Sequence, residues 1–222
     1  METTPHNAFV VDDDAAMRDA LTWLLRSRGL TVHSWPSAED FLRDCHPGLQ
    51  GCIILDIRMP SMSGLALFDQ LKVLKCHLPV IFLTAHGKVA HAVSALKKGA
   101  FDFIEKPFDD NAFADRVIEA IAWNQQRLTQ GQRASAIHER LRSLTSREKE
   151  VMICILKGCM NKIVADQLNI AVRTVEVHRS HIFEKMAVKS AVELATLLAD
   201  HDITLTPLPQ ETHHDHPLHL PI

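Results

Sequence analysis

The first hundred residues alternate between short apolar runs and longer stretches whose apolar positions recur every three or four residues. The runs fall at Ala8–Val11, Leu30–Ser34, Cys52–Leu55, Val80–Leu83 and Phe101–Ile104 and predict strands. Segments near 15–28, 37–44, 65–75, 88–98 and 110–128 predict helices between and after them. Strands that alternate with helices imply a parallel sheet covered on both faces, because parallel strands need crossover connections. Ser37 with Asp40 resembles a capping box ahead of Phe41 and Leu42. Gly29 and Gly99 follow helical runs, where a left-handed residue is needed.

The fifth helical pattern does not stop cleanly. Residues 110–142 predict one long, increasingly polar helix, with Gly131 as a weak break. Residues 143–200 hold no convincing strand and at least four helical segments, the first opened by a second capping-box pattern, Thr145 with Glu148. From Thr204 the chain turns to Pro and His, a composition that cannot bury a core and predicts disorder. The expected division is 1–124, a helical linker at 125–142, a helical domain at 143–203 and a tail at 204–222.

Composition changes this picture little. A hydrophobic content of 46% and a net charge of −3 describe an ordinary soluble protein. There is no apolar run near the roughly 20 residues needed to span a bilayer, and no signal-peptide pattern at Met1–Asn7, so a cytoplasmic location is expected. The five cysteines are scattered without a Cys-x-x-Cys pair, which predicts small buried hydrophobes rather than disulfides or a thiolate metal site. Charge is uneven. Residues 1–123 carry 12 basic against 16 acidic side chains, and residues 124–203 carry 12 against 9. Different partners for the two parts follow from that asymmetry.

Chemistry concentrates at the predicted strand ends. Asp12, Asp13 and Asp14 follow the first strand and Asp56 ends the third. In an open parallel sheet, ligands bind beyond the carboxyl ends of the strands. Neighbouring carboxylates repel by roughly 1–4 kcal/mol per pair at surface-like dielectric. A hard divalent cation relieves that repulsion, and Mg²⁺ suits oxygen ligands while keeping several waters. Thr84 ends the fourth strand and Lys106 follows the fifth, supplying the hydroxyl donor and the ammonium that a phosphoryl group on Asp56 requires. An Asp at a strand end is by itself more often a cap or a solvated residue. The conjunction of four strand ends is what points to in-line phosphoryl transfer.

Val-Val-Asp-Asp at 10–13, Leu-Asp-Ile-Arg-Met-Pro at 55–60 with Gly64, Leu-Thr-Ala-His-Gly at 83–87 and Phe-Ile-Glu-Lys-Pro-Phe at 103–108 resemble two-component response-regulator receiver domains over about residues 7–125. The resemblance implies a flavodoxin-like sheet of strand order 2-1-3-4-5 and phosphorylation of Asp56 by a sensor histidine kinase. It implies Mg²⁺ on Asp13, Asp56 and the Arg58 backbone carbonyl, with Asp12 helping through water. Lys106 is expected to precede a cis bond to Pro107, and Phe103 to change rotamer when Thr84 turns toward the phosphoryl group. Arg58 and His86 take the positions that tune dephosphorylation in that family.

In the rear part, residues 161–183 read as helix, short turn, helix. Asn161 is expected to cap the first, with Ile163, Val164 and Leu168 facing inward. The second presents Val175 and Ile182 to the core, and Arg173, Thr174, Glu176, Val177, Arg179 and Ser180 to the other side. An α-helix fits the DNA major groove. Leu-Thr-Ser-Arg-Glu-Lys-Glu-Val at 144–151, Asn161-Lys162, Arg-Thr-Val-Glu-Val-His at 173–178, Lys185-Met186 and Lys189-Ser190 resemble the four-helix DNA-binding domain of NarL/FixJ (LuxR-type) regulators, in their FixJ-like branch. By that resemblance Glu176, Val177 and Ser180 meet bases, and Arg173, Thr174, Arg179 and Lys162 hold phosphates, with Lys185 and Lys189 as further candidates. Glu176 either accepts from cytosine N4 or orients Arg179.

The expected protein is a non-enzyme: a response regulator that binds promoter DNA as a homodimer when phosphorylated, with RNA polymerase as a further candidate partner. An aspartyl-phosphate phosphatase would need a second carboxylate two residues after the nucleophile, where Arg58 stands. A phosphorylation-independent DNA-binding regulator, using the front part only to dimerise, is the other alternative. His213, His214, His216 and His219 could hold Zn²⁺ or Ni²⁺, though histidines in such a tail often bind nothing specific.

Overall fold

The computed structural model describes residues 6–85 and 89–201, with the side chains of 89–92 outside that description. The N-terminal unit runs β1 (Asn7–Val11), α1 (Ala15–Ser27), β2 (Thr31–Trp35), α2 (Ala38–Asp44), β3 (Cys52–Asp56), α3 (Gly64–Val73), β4 (Val80–Thr84), α4 (Val89–Lys97) and β5 (Asp102–Glu105). All strand pairs are parallel, in the order β2-β1-β3-β4-β5. Each predicted strand is present within about a residue of its expected bounds.

The apolar runs are nearly continuous because both faces of the sheet are covered. Alternate residues divide between two cores. Phe9, Val11, Ile53, Leu55, Val80 and Phe82 pack on Phe41 of α2, Leu67, Phe68 and Leu71 of α3 and Ala95 of α4. Ala8, Val10, Cys52, Ile54, Ile81 and Leu83 pack on Leu21 and Leu25 of α1 and on Phe113, Val117 and Ile121 of the next helix, α5 (Asp110–Ser143).

α5 is one uninterrupted helix, so Gly131 does not break it, and the division into two compact units falls at Gln130/Gly131 inside it. The C-terminal unit adds α6 (Ser146–Leu156), α7 (Asn161–Leu168), α8 (Val172–Met186) and α9 (Ala191–Ala199). These helices bury Val151, Ile155, Val164, Val175, Ile182, Met186, Leu194 and Leu198 against Ile137 and Leu141 of α5.

Local signals had mixed outcomes. Gly29 and Gly99 take φ of +79° and +92°, as expected. The Thr145–Glu148 capping box is complete, each side chain bonded to the other's backbone N–H. Ser37 accepts from the Asp40 N–H, but the Asp40 carboxylate takes the Ser37 hydroxyl and not its backbone N–H, so that box is half formed. Asn161 does not cap α7. Met160 occupies the cap position in an extended conformation and makes no side-chain cap bond. Helix phase also differs from the expectation: Val164 and Ala165 are buried while Ile163 is exposed, because 163 lies on the outer flank of the stripe. The turn before α8 holds, with Asn169 left-handed at φ +51°. His86 and the histidines of the tail lie outside the described residues.

Gly64 opens α3 directly against the strand that carries Asp56. A Cβ at this position would lie 2.1 Å from the Asp56 carbonyl oxygen, and backbone cannot retreat as a side chain can. Gly64→Ala is expected to destabilise the N-terminal unit by about 2–3 kcal/mol, read as a fall in the urea midpoint; an unchanged midpoint would refute the close approach.

Candidate functional site

The register of the sheet assembles the acidic pocket. Val11 pairs with Leu55, so the next residue of each strand, Asp12 and Asp56, leave the sheet side by side. Asp56 pairs with Leu83 and Thr84 pairs with Glu105, which sets Thr84 and Lys106 along the same edge. The Lys106 N–H donates to the Thr84 carbonyl at 2.8 Å, and the Lys106–Pro107 bond is cis.

The three consecutive aspartates have separate roles. Asp12, 2% exposed, turns into the pocket, where its Oδ1 accepts from the Asp14 N–H at 2.9 Å. Asp13 is exposed, its carbonyl held by the Arg18 guanidinium. Asp14 caps α1 by accepting from the N–H groups of Ala16 and Met17.

Lys106 Nζ bridges the two buried carboxylates, at 2.9 Å from Asp12 Oδ2 and 3.0 Å from Asp56 Oδ1. The other Asp56 oxygen accepts from the Arg58 N–H at 2.7 Å. Burial pushes the Asp56 carboxyl above the usual range and the Asp12 charge adds to that, while Lys106 and the Arg58 N–H pull the other way without cancelling it. Burial would lower the Lys106 ammonium, but its bonds to Asp12 and Asp56 outweigh burial and hold it above its ordinary value. Two carboxylates against one ammonium leave negative charge uncompensated.

That donor set suits a hard divalent cation: oxygen atoms only, with charge to neutralise. Among the described residues, no group of three or more His, Cys, Asp or Glu side chains is assembled to hold a metal. Thr84 is buried at the strand end, and Phe103 is half-buried against the core under α2, α3 and α4.

In the C-terminal unit α8 has two faces. Val175, Ile182 and Met186 are fully buried. Arg173, Thr174, Glu176, Val177 and Ser180 are exposed, as is Lys162 on α7. Arg179 is half-buried, its guanidinium 5.4 Å from the Phe183 ring centre. Val177, 47% exposed, is an apolar residue in the middle of this polar face.

Lys185 is engaged within the C-terminal unit. Its Nζ lies 2.7 Å from Glu148 Oε2 and also reaches the Ser143 carbonyl at 3.3 Å. Glu148 is 3% exposed, with His181 Nδ1 3.8 Å away on its other side. This carboxylate, a tie between the capping box of α6 and the last turns of α8, was read in the sequence only as a cap. The spacing of Glu148 and Lys185, far apart in sequence, carries no signal of their contact. Burial alone would raise the Glu148 carboxyl, but Lys185 and Thr145 lower it below the usual range.

Comparison with known proteins agrees with both halves. The family described as "Response regulator receiver domain" matches residues 8–118, and "Bacterial regulatory proteins, luxR family" matches residues 142–198. The chain is 46% identical over 190 residues to the C4-dicarboxylate transport transcriptional regulatory protein DctR of Rhodobacter capsulatus, covering 85% of this chain and 96% of the relative. It is 40% identical to the transcriptional regulatory protein FixJ of Bradyrhizobium diazoefficiens, covering 88% and 95%. Among solved structures, the response regulator StyR is similar over 89% of this chain and all of that one, with a TM-score of 0.82 at 38% identity.

Two outcomes follow. Because the folded-state pKa of Asp56 is raised, its ionised form costs stability; that cost is absent below the ordinary 3.8 and present in full above the raised value. Asp56→Asn should therefore raise the melting temperature of the N-terminal unit at pH 7 by roughly 3–5 °C, the equivalent of about 1 kcal/mol. A calorimetric decrease would contradict this. For Glu148 the folded pKa is lowered, so its contribution is present above the ordinary 4.5 and fades as pH falls through the folded value. Lys185→Met should cost the C-terminal unit about 1–3 kcal/mol at pH 7 in urea titrations and less in acid, whereas Lys162→Met should cost nothing measurable.

Proposed function

The chain belongs to the two-component response regulators of the NarL/FixJ type, which join a receiver domain to a LuxR-type DNA-binding domain, and we propose that phosphorylation of Asp56 by a sensor histidine kinase controls its binding to promoter DNA. The observation that carries this reading is the Asp12–Lys106–Asp56 arrangement: a buried, incompletely neutralised carboxylate at the end of a central strand. We place the receiver at 1–124, the linker at 125–142 and the DNA-binding domain at 143–203.

In the proposed reaction, an Asp56 oxygen attacks the phosphorus of the kinase phosphohistidine and the imidazole leaves. Asp12, Asp13, Asp56 and the Arg58 carbonyl would hold Mg²⁺, which when bound supplies positive charge beside the transferring oxygens. Lys106 keeps its bond to Asp12 and offers its remaining donors to the phosphoryl group. Thr84, on the same edge, donates its hydroxyl, and Phe103 moves into the space this opens. The N-terminal unit then becomes competent to dimerise through α4 and β5, a face on which Val93 and Leu96 are exposed. Shifting such an equilibrium from 1:99 to 99:1 takes about 5.5 kcal/mol of differential interaction.

At the DNA, α8 enters the major groove. Glu176, Val177 and Ser180 face base edges, with Val177 suited to apolar contact such as a thymine methyl. Arg173, Thr174, Arg179 and Lys162 meet phosphates, which position the protein without reading sequence. A dimer would present two such helices about 34 Å apart, one DNA turn.

Labelling with acetyl phosphate tests the first step: wild type should incorporate phosphate in Mg²⁺ and Asp56→Asn should not. Sedimentation should show monomer shifting to dimer on phosphorylation; a phosphorylated monomer that binds promoter DNA as tightly as before would overturn the dimer mechanism. Arg179→Ala should weaken binding to all sequences and reduce the slope of log K against log salt by about 1. Val177→Ala should chiefly relax sequence preference, and equal losses on all DNA for both variants would end that division of roles.

A further inference from the structure

At the amino-terminal ends of β4 and β5, opposite the sheet end that carries Asp56, the sheet, α3 and α5 border a cavity of about 280 Å³. Its apolar wall is largely aromatic. Phe68 of α3, Phe101 just before β5 and Trp123 of α5 line it, the last two with ring centres 5.8 Å apart. Lys72, His77 and Arg127 also line it, and no acidic side chain does. Both cations rest on those rings: Lys72 Nζ lies 4.3 Å from the Phe68 ring centre, and the Arg127 guanidinium 4.9 Å from that of Trp123. The carboxylates that adjoin the lining residues in the chain are engaged elsewhere, Asp69 with Lys98, and Asp102 and Glu119 with Arg116. The carbonyls that would repel an anion here, at the ends of α3 and α4, are also met. Leu71 accepts from the Cys76 N–H, Leu96 from that of Gly99, Ala95 from that of Ala100, and Lys98 from the Lys72 ammonium. An ammonium has three donors, so two remain on Lys72.

We propose that this cavity is a binding site for a small aromatic carboxylate. Three rings favour a flat apolar body, because aromatic pairs attract in offset or edge-to-face arrangements. Two cations without an acid to neutralise them favour an anionic group on that body. Arg127 offers a planar fork that matches a carboxylate, and Lys72 adds a compact point charge. His77 supplies a ring nitrogen beside them. The volume stands at the small end of ligand pockets, which run from about 300 to 1,000 Å³. It suits one ring with its carboxylate rather than a nucleotide or a peptide. A ligand there touches α3, the starts of β4 and β5, and α5 together, so it stabilises the N-terminal unit by mass action. β4, five residues long, separates this site from the acidic pocket by roughly 13 Å. The proposal stands whether or not Asp56 is phosphorylated.

The test titrates the full-length chain with benzoate by isothermal calorimetry. A one-to-one Kd of roughly 0.1–1 mM is expected, the affinity that a ligand of about nine non-hydrogen atoms reaches at ordinary efficiency. Benzyl alcohol has the ring without the charge and acetate the charge without the ring; each should bind at least about fivefold more weakly. Lys72→Gln and Arg127→Gln should each weaken benzoate binding about two- to fivefold, with a smaller loss in high salt. Arg133→Gln, on the same helix but outside the cavity, should leave it unchanged. Lys72 and Arg127 are exposed, so these variants keep the fold. Amide shifts in the NMR spectrum of the full chain should cluster at 76–80, 99–101 and 123–127. No heat from benzoate at about 10 mM, or benzyl alcohol bound as tightly as benzoate, would overturn the proposal. Amide shifts centred on Asp12, Asp56 and Lys106 would do the same.

Discussion

Two buried carboxylates and one ammonium at the end of the central strands set the terms for the N-terminal unit. Asp12 and Asp56 stand side by side because β1 and β3 are neighbours in register, and Lys106 lies between their oxygens. At an effective dielectric near 20, unit charges 4 Å apart interact by about 4 kcal/mol. A site with one charge too many therefore responds strongly to any charge added or removed there. That sensitivity is what a phosphoryl-controlled switch requires, and it exists before any phosphoryl group or metal ion arrives. Burial above all, with the Asp12 charge adding to it, is why Asp56 is held with its pKa raised although it touches a cation.

The rest of that unit fixes this geometry with few spare residues. Asp12, Asp13 and Asp14 are consecutive yet face the pocket, the solvent and the start of α1 in turn, because the chain leaves a strand and enters a helix across them. Gly64 lets α3 begin against the Asp56 carbonyl, so the strand end cannot drift without displacing a helix. The sheet brings Thr84 and Lys106 to the same edge from β4 and from beyond β5. Residues distant in sequence thus owe their meeting to register, not to local preference.

This distinction governs what was legible in the sequence. Continuous apolar runs marked all five strands, since burial on both faces leaves no polar alternation to blur them. Strand ends carrying Asp, Thr and Lys marked the pocket. Signals that depend on a single dihedral were less secure. Asn161 has the chemistry of a cap, but Met160 holds the extended conformation, so the helix begins one residue earlier than a capping Asn would require. Contacts between remote helices left no local trace at all. Glu148 looked complete as a capping-box residue, and nothing in its neighbourhood announced Lys185 or His181.

The Glu148–Lys185 tie changes how the charge of the C-terminal unit should be read. Composition gives that part a basic excess, which suggests a surface of interchangeable cations. Several of those cations are occupied within the fold. Lys185 serves Glu148, Arg140 donates to the Met186 carbonyl at 3.2 Å, and Arg147 is shared between Glu150 and the Leu168 carbonyl. Arg140 and Lys185 gather at the C-terminal half of α8, and Arg147 secures the end of α7. The N-terminal half of α8 keeps its exposed face, where Ala171 provides no side-chain cap to occupy the first N–H groups. Internal cations thus fix the position of the helix, and a smaller set with Arg173 and Arg179 remains for a partner. A helix so anchored presents the exposed face that carries Glu176, Val177 and Ser180 in one orientation.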